Sequence, residues 1–345
     1  MLNKRFFPIY WALFTWAIWG TYMAYADTWY LFQENWFMSV TMALGSFIAG
    51  ATSEGGGAVA FPVMVLVFDI SPSIARDFSL MIQSVGMVAA SMTIVMLRIP
   101  IVWRAVVLPS LGGVCGVIFG IEVMQPMMPP QLVKLFFTSL WLSFGCVLFW
   151  TNRHTDRRVV RDIGPATNSD IIRLLAVGFI GGTVSGITGS GLDLITFSLL
   201  VLFYRTCESV ATPTSVVLMA INSVCAFLWM EGVGSGVAEA AWDYWLVCIP
   251  IVVVGAPIGA WFIRNKSRKF IVRILYASII FQYIGALIIL PMDMRLVLFS
   301  GLVIIAGLLC FWTAIHFGNR RLKRVRVGKP DPQGNQGTGR NCSAG

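Results

Sequence analysis

Long apolar runs of about twenty residues, separated by short polar or basic stretches, constrain this chain more than any other feature. A helix rises ~1.5 Å per residue and a bilayer core is ~30 Å thick, so each run can cross once with its backbone bonded internally. Residues 6–26, 78–97, 105–124, 131–151, 212–230, 244–263, 270–290 and 294–316 have that length. Of the 345 residues, 57% are hydrophobic and 12% charged, whereas a soluble domain carries roughly 25% charged residues. The chain therefore reads as an all-α polytopic membrane protein. Lys4 and Arg5 before the first run, and Ala24-Tyr25-Ala26 at its end, would suit a cleavable signal peptide. The length of the run and its Trp, Tyr and Phe content predict a retained helix instead.

The net charge of +9 could suggest nucleic acid, but the basic residues sit in short loops and the tail. That distribution fits anchoring to the cytoplasmic face of a cell membrane and its lipid, with no nucleic-acid partner. Cys115, Cys146, Cys207, Cys225, Cys248, Cys310 and Cys342 form no CxxC pair and lie mostly in apolar runs. They read as packing residues, not as a metal site or a disulfide framework. No cofactor pattern is present.

Two segments depart from the simple pattern. Residues 36–68 are apolar but interrupted by Ser53-Glu54-Gly55-Gly56-Gly57, and residues 171–204 by Gly186-Ile187-Thr188-Gly189-Ser190-Gly191. Each glycine costs a helix about 1 kcal/mol relative to alanine, so a cluster of three breaks it. The pieces on either side, about 11 to 17 residues, reach past the bilayer midplane but fall short of a comfortable crossing. Charge placement separates a broken crossing from a hairpin that returns to the same side. With both segments re-entrant and both termini cytoplasmic, only Arg76, Lys134 and Arg295 of the 25 basic residues fall outside. With both segments crossing, the loops 98–104 and 153–173 would fall outside, against the positive-inside bias. The expected topology is eight crossings and two hairpins.

Counted this way, the chain repeats. Phe47-Ile48-Ala49-Gly50-Ala51-Thr52-Ser53 aligns with Phe179-Ile180-Gly181-Gly182-Thr183-Val184-Ser185 at an offset of 132, and Ala75–Ser79 with Ala211–Ser215 at 136. Each half is one hairpin plus three crossings, an odd number of crossings, which makes the repeats inverted. Inverted repeats with broken helices at equivalent places belong to secondary transporters, whose site lies at the repeat interface near the midplane. The simpler explanation, glycines that let helices pack closely, accounts for one cluster better than for two at matching positions. The expected organisation is 1–35 as an N-terminal helix and outer loop, 36–151 as the first repeat, and 152–170 as a basic loop. The second repeat follows over 171–290, then a last crossing over 291–316 and a basic, disordered cytoplasmic tail over 317–345.

These motifs resemble the TauE/SafE family of sulfite and organosulfur anion exporters. Its pattern is a serine and glycine, a Gly-Gly-Gly run, a proline five residues on, then Ala-x-x-x-Ser before the next helix. Here the first copy is Ser53-Glu54-Gly55-Gly56-Gly57 with Pro62, then Ala75 through Ser79. The second is Ser185 through Gly191, then Ala211 through Ser215, and the resemblance covers roughly 37–290. The first copy is two residues shorter between Ser53 and Gly57 and puts Glu54 in the break. The second has Ser190 for the middle glycine, Thr196 in place of the proline, and an added Asp193. The resemblance implies a secondary transporter of a small sulfur-containing oxyanion, sulfite or an organosulfonate.

A binding mechanism follows from the hairpins themselves. The helix after each break starts near mid-membrane, with unpartnered N–H groups and the positive end of its dipole. Gly55, Gly56, Gly57, Gly189 and Gly191 would let an oxyanion approach that backbone. Hydroxyls of Ser53, Thr188, Ser190, Ser79 and Ser215 could add donors, against the plainer role of bonding to their own helices. Glu54 and Asp193 are costly at this depth. They would couple anion movement to protons, bind a cation such as Na⁺, or cap the half-helices. Arg76 would attract anions at the outer mouth, and Gln83 and Asn222 would line the pathway or join helices. An intramembrane serine protease is disfavoured, because His154 and His316 fall at the cytoplasmic ends of spans, away from Ser190. The chain is not expected to be an enzyme. A cation-coupled transporter or a channel for another small anion is the alternative, and a homodimer is compatible although no stretch argues for one.

Overall fold

A computed structural model of the chain describes residues 7–52, 55–152, 160–163, 167–234, 236–263 and 268–327, which are almost entirely helical. The helices are α1 (Phe7–Tyr25), α2 (Trp36–Ala51), α3 (Gly57–Pro62, continued by a π-helical stretch Val63–Val67) and α4 (Pro72–Met96). Next come α5 (Arg104–Phe119, continued to Met127), α6 (Pro130–Asn152), α7 (Asn168–Thr188) and α8 (Leu192–Ser198, continued by a π-helical stretch Leu199–Phe203). The chain closes with α9 (Glu208–Gly232), α10 (Glu239–Ile263), α11 (Arg268–Ile289) and α12 (Met294–Val327). Among the described residues, eight helices are long and apolar enough to cross a membrane: α4, α5, α6, α7, α9, α10, α11 and α12. The protein is a multi-pass membrane protein.

The number eight matches the expectation, but its membership differs. α1 is not among them, because Tyr10, Trp11, Trp16, Trp19, Tyr22 and Tyr25 reduce its apolarity. α7 is among them: it runs 21 residues instead of stopping short. Its Gly181, Gly182 and Gly186 stay helical because each faces another backbone. A β-carbon on Gly186 would lie 2.7 Å from Gly120 Cα, and one on Gly182 would lie 2.8 Å from Gly113 Cα. The chain breaks only at Gly189 and Gly191, whose φ values of +79° and +152° favour glycine. α12 also exceeds its expected length, so residues 317–327 are helical where a disordered tail was expected. Leu322 and Val325 continue the apolar spacing, and no Gly or Pro follows Gly318 until Gly328. Residues 328–345 lie outside the described residues. Cys115, Cys146, Cys225, Cys248 and Cys310 are free. Cys207 is disulfide-bonded, which departs from the reading of every cysteine as a packing residue.

Both interrupted segments fold back on themselves. A β-carbon on Gly45 of α2 would lie 3.4 Å from Val59 Cγ1, and one on Gly56 would lie 3.7 Å from Ala49 Cβ, so α3 returns along α2. The far ends of this hairpin meet, with the Phe37 and Phe68 ring centroids 4.3 Å apart. α8 returns along α7 in the same way, and Leu192 N–H donates to Ser185 Oγ at 2.9 Å. There the ends are tied by the Tyr204 hydroxyl donating to Asp170 at 3.0 Å and by Arg173 lying 5.2 Å over the Phe203 ring. A capping box between Thr167 and Asp170 starts α7.

Each hairpin is held by the other half of the chain. α2 packs along α10 and α7 along α5, the same pairing with the halves exchanged. Likewise α4 meets α10 as α9 meets α5, while α4 meets α9 and α6 meets α11. Helix directions follow from individual contacts. Phe37 touches Tyr244, Ser39 Oγ donates to Val247 O at 2.9 Å, and Phe47 touches Phe262, so α2 runs with α10. Asp77 with Ala238 and Trp245 with Met81 align α4 with α10 as well. Thr214 with Val102, and Trp229 with Glu122, align α9 with α5. α7 also runs with α5, since a β-carbon on Gly178 would meet Pro109 and one on Gly186 would meet Val117. α4 and α5 are consecutive and joined by the short stretch 97–103, so they run in opposite directions. α2 and α7 therefore point opposite ways.

α1 lies against α10. Pro250 has no N–H to give to Leu246 O, and Trp19 Nε1 donates to that carbonyl at 2.8 Å, while Trp16 Nε1 donates to Pro250 O at 2.9 Å. The outward faces of α11 and α12 are apolar, with Phe281, Ile288 and Leu302 exposed. They suit contact with lipid tails.

Two outcomes test this fold. Cysteines introduced at Gly234 and Thr155 should label from opposite faces of the membrane, and labelling from one face would overturn the topology in which α7 and α8 return to one side and α9 alone crosses between the two positions. Gly189→Ala should lower the thermal unfolding midpoint in detergent. The left-handed backbone alone costs about 1–2 kcal/mol with a β-carbon, and that carbon would press on Ser79. Gly20→Ala, in α1 with nothing within 4 Å, should leave the midpoint unchanged or raise it.

Candidate anion-binding site

The two glycine breaks come together. A β-carbon on Gly57 would lie 2.9 Å from Gly189 O and 3.1 Å from Ser190 Cβ. One on Gly55 would meet Asp193 Oδ2, with Ser190 Oγ at 3.3 Å. Gly56 faces the aliphatic part of Gln83, 3.6 Å from Cγ. Only residues without side chains allow this approach, which brings a break from each half of the chain into contact.

Gln83 of α4 joins them. Its Nε2 donates to Ser79 O at 2.8 Å and to Gly189 O at 2.7 Å. Among the described residues its Oε1 has no partner, and a β-carbon on Gly55 would lie 2.7 Å from it. Ser79 Oγ is likewise buried with no partner among the described residues, beside Gly189. A buried polar atom left unpartnered costs about 1–3 kcal/mol, so such atoms clustered at one place mark a site built to receive hydrogen bonds. Asn222 of α9 is fully buried with neither side-chain polar atom partnered, and it lies beside Gly113 and therefore next to Leu192.

The other expected residues fall as follows. Thr188 Oγ1 donates to Val184 O at 3.0 Å and to Ser190 O at 2.7 Å, so it staples the break instead of offering a free donor. Ser190 Oγ lies 3.4 Å and 3.5 Å from the two Asp193 oxygens. Ser215 bonds within its own helix, to Thr212 O at 2.8 Å. Ser53 and Glu54 lie outside the described residues. Arg76 presents its backbone carbonyl to Gly189, but its guanidinium is buried against Asp77, with Nε donating at 2.8 Å. Asp77 also accepts from Ala238 N–H at 3.4 Å, and Arg76 Nη1 reaches Gln125 Oε1 at 3.4 Å. A partnered, buried arginine joins α4 to the neighbouring helix ends; it is not an open charge at a mouth.

The two half-helix N-termini are not alike. The N-cap of α3 is Gly56, which has no side chain to accept a bond. At α8 the Asp193 Oδ1 accepts from Gly191 N–H at 3.1 Å and from Leu194 N–H at 2.9 Å, and Ser185 takes Leu192 N–H. The expectation of unpartnered N–H groups at both starts therefore does not hold at α8. Ser185 was not singled out as a site residue, although the repeat sets it opposite Ser53. Asp77 and Gln125 carried no sequence signal, because their roles come from helices that meet only in the fold.

A protein-family profile described as "Sulfite exporter TauE/SafE" matches residues 38–282. No curated protein and no solved structure matches the chain. The match spans both hairpins, the breaks that meet at Gln83, and α2 through most of α11. The chain belongs to the sulfite exporter TauE/SafE family, a family of anion transporters.

Proposed function

We propose that the protein is a secondary transporter that moves a small sulfur-containing oxyanion, sulfite or an organosulfonate, across the cytoplasmic membrane. The observation that carries this reading is the contact between the two breaks, Gly57 against Gly189, beneath the half-bonded amide of Gln83. A pair of half-helix starts supplied by oppositely directed halves is the arrangement an inverted-repeat transporter uses to hold an anion without a fixed positive charge. In this reading both hairpins are re-entrant and both termini are cytoplasmic.

Gly55, Gly56 and Gly57 form the half of the site whose helix starts at a residue without a side chain, Gly56. Ser79, Gln83 and Asn222 supply the unpartnered polar atoms that would meet substrate oxygens or a substrate hydroxyl. Arg76 acts from a distance by fixing α4 where Ser79 and Gln83 stand. Glu54 and Asp193 are the carboxylates through which protons would be coupled to anion movement.

Uptake of radiolabelled sulfite, thiosulfate or a small sulfonate into proteoliposomes under an imposed pH gradient tests this function. The expected result is saturable flux for at least one of them; none for any sulfur oxyanion would point to another substrate class. Flux that never saturates would favour a channel. Gln83→Leu removes both Nε2 bonds and the free acceptor, and should lower uptake at least tenfold while leaving the protein monodisperse. If Glu54→Gln and Asp193→Asn both leave the pH dependence of uptake unchanged, proton coupling is wrong.

A further inference from the structure

We propose that the carboxylate of Asp193 is a resident substitute for the transported anion, and that the anion takes its place only when Asp193 is protonated, so that one monoanion and one proton move together without net charge. The inference rests on the transporter reading above and deepens it.

The geometry is that of an occupied anion site. α8 is a continuous helical arm, Leu192–Phe203, and its first turn carries Asp193 to the meeting of the breaks, beside Gly55. Asp193 Oδ1 sits on two donors at that end, the N–H groups of Gly191 and Leu194. This is how an oxyanion oxygen is bound at a helix start. Oδ2 faces Gly55 of the other hairpin, beside the unpartnered Oε1 of Gln83. The side chain is fully buried, and among the described residues it makes no ion pair.

Charges on the surrounding elements stand away from it. α7 carries Asp170 and Arg173 at its start, where they bond to each other. α9 has Glu208 and Glu231 and α5 has Arg104 and Glu122, near helix ends, while α12 has Arg295 at its start and His316 and the basic residues Arg320, Arg321, Lys323, Arg324 and Arg326 in its last third. At the start of α4, Arg76 is closed on Asp77. Glu54, in the facing break, lies outside the described residues. An ionised carboxylate and a free anion sharing these donors without a cation would repel strongly in a medium of low dielectric. Adding one proton to Asp193 removes that repulsion and weakens its hold on the Gly191 and Leu194 N–H groups, which a monoanion can then accept. Release of the anion and the proton on the other side restores the carboxylate to its place. The cycle moves one negative and one positive charge in the same direction.

Proteoliposomes loaded with full-length protein and offered radiolabelled methanesulfonate, a monoanion at every working pH, give the test. Wild type should accumulate it about tenfold per unit of inside-alkaline pH gradient, the ratio one proton per anion sets. It should not respond to a potassium–valinomycin potential of either sign. Asp193→Asn keeps an oxygen acceptor at the helix start but cannot exchange a proton. Its accumulation should follow the potential and ignore the pH gradient. Asp193→Ser serves the same purpose if the amide variant is not monodisperse.

Wild-type accumulation that follows the potential overturns the proposal, as does an Asp193→Asn protein that keeps the tenfold response to pH. Loss of that response in Glu54→Gln but not in Asp193→Asn overturns it too, and assigns the proton to the other break. Absence of any methanesulfonate or sulfite flux in wild type is a different failure, because it removes the transporter reading on which the proposal stands.

Discussion

Backbone lying directly on backbone is the interaction on which this structure depends. A hairpin arm that ends inside an apolar layer cannot rely on water, and it gains no hydrophobic drive from neighbours as apolar as itself. What remains is close packing, and the first arm of each hairpin obtains it from the middle helix of the opposite half. Gly178, Gly182 and Gly186 lie on Pro109, Gly113 and Val117, while Gly50 lies on Ala256 and Gly259 on Phe47. At such separations Cα–H groups and carbonyl oxygens attract weakly but repeatedly along the seam. The exchange of partners makes each half complete the other, since the first arm of each hairpin is seated on the opposite repeat.

This dependence explains which features were legible in the sequence. Membrane residence followed from apolar runs, and the folding-back of 36–68 and 171–204 followed from glycine clusters read together with the placement of arginines. Segment lengths were less legible. Gly182 and Gly186 look like helix breakers when taken alone, yet they are sites of contact with α5, a helix more than sixty positions earlier in the chain. Propensity is local, and this use of glycine is not. The same limit hid the closed state of Arg76, whose neutralising partner is the adjacent Asp77 but whose burial comes from Ala238 and Gln125.

The glycines and Gln83 singled out in the sequence meet in the fold, but the sequence made the two breaks look more alike than they are. They differ because the added Asp193 stands two residues into its helix, close enough to turn back onto Gly191 N–H. The first break has no carboxylate directly after its glycines, and the N-cap of α3 is Gly56. The two halves are thus unequal at the point where they touch.

The tryptophans of α1 carry a consequence for where this fold is bounded. The region that matches the family starts at residue 38, beyond α1. Yet Leu246 O, left without its usual donor by Pro250, is satisfied by Trp19. α10, which bears that proline, is also the seat of the first hairpin. A helix outside the matched region thus satisfies a carbonyl within it, and the contacts that complete this fold reach beyond the residues that match the family.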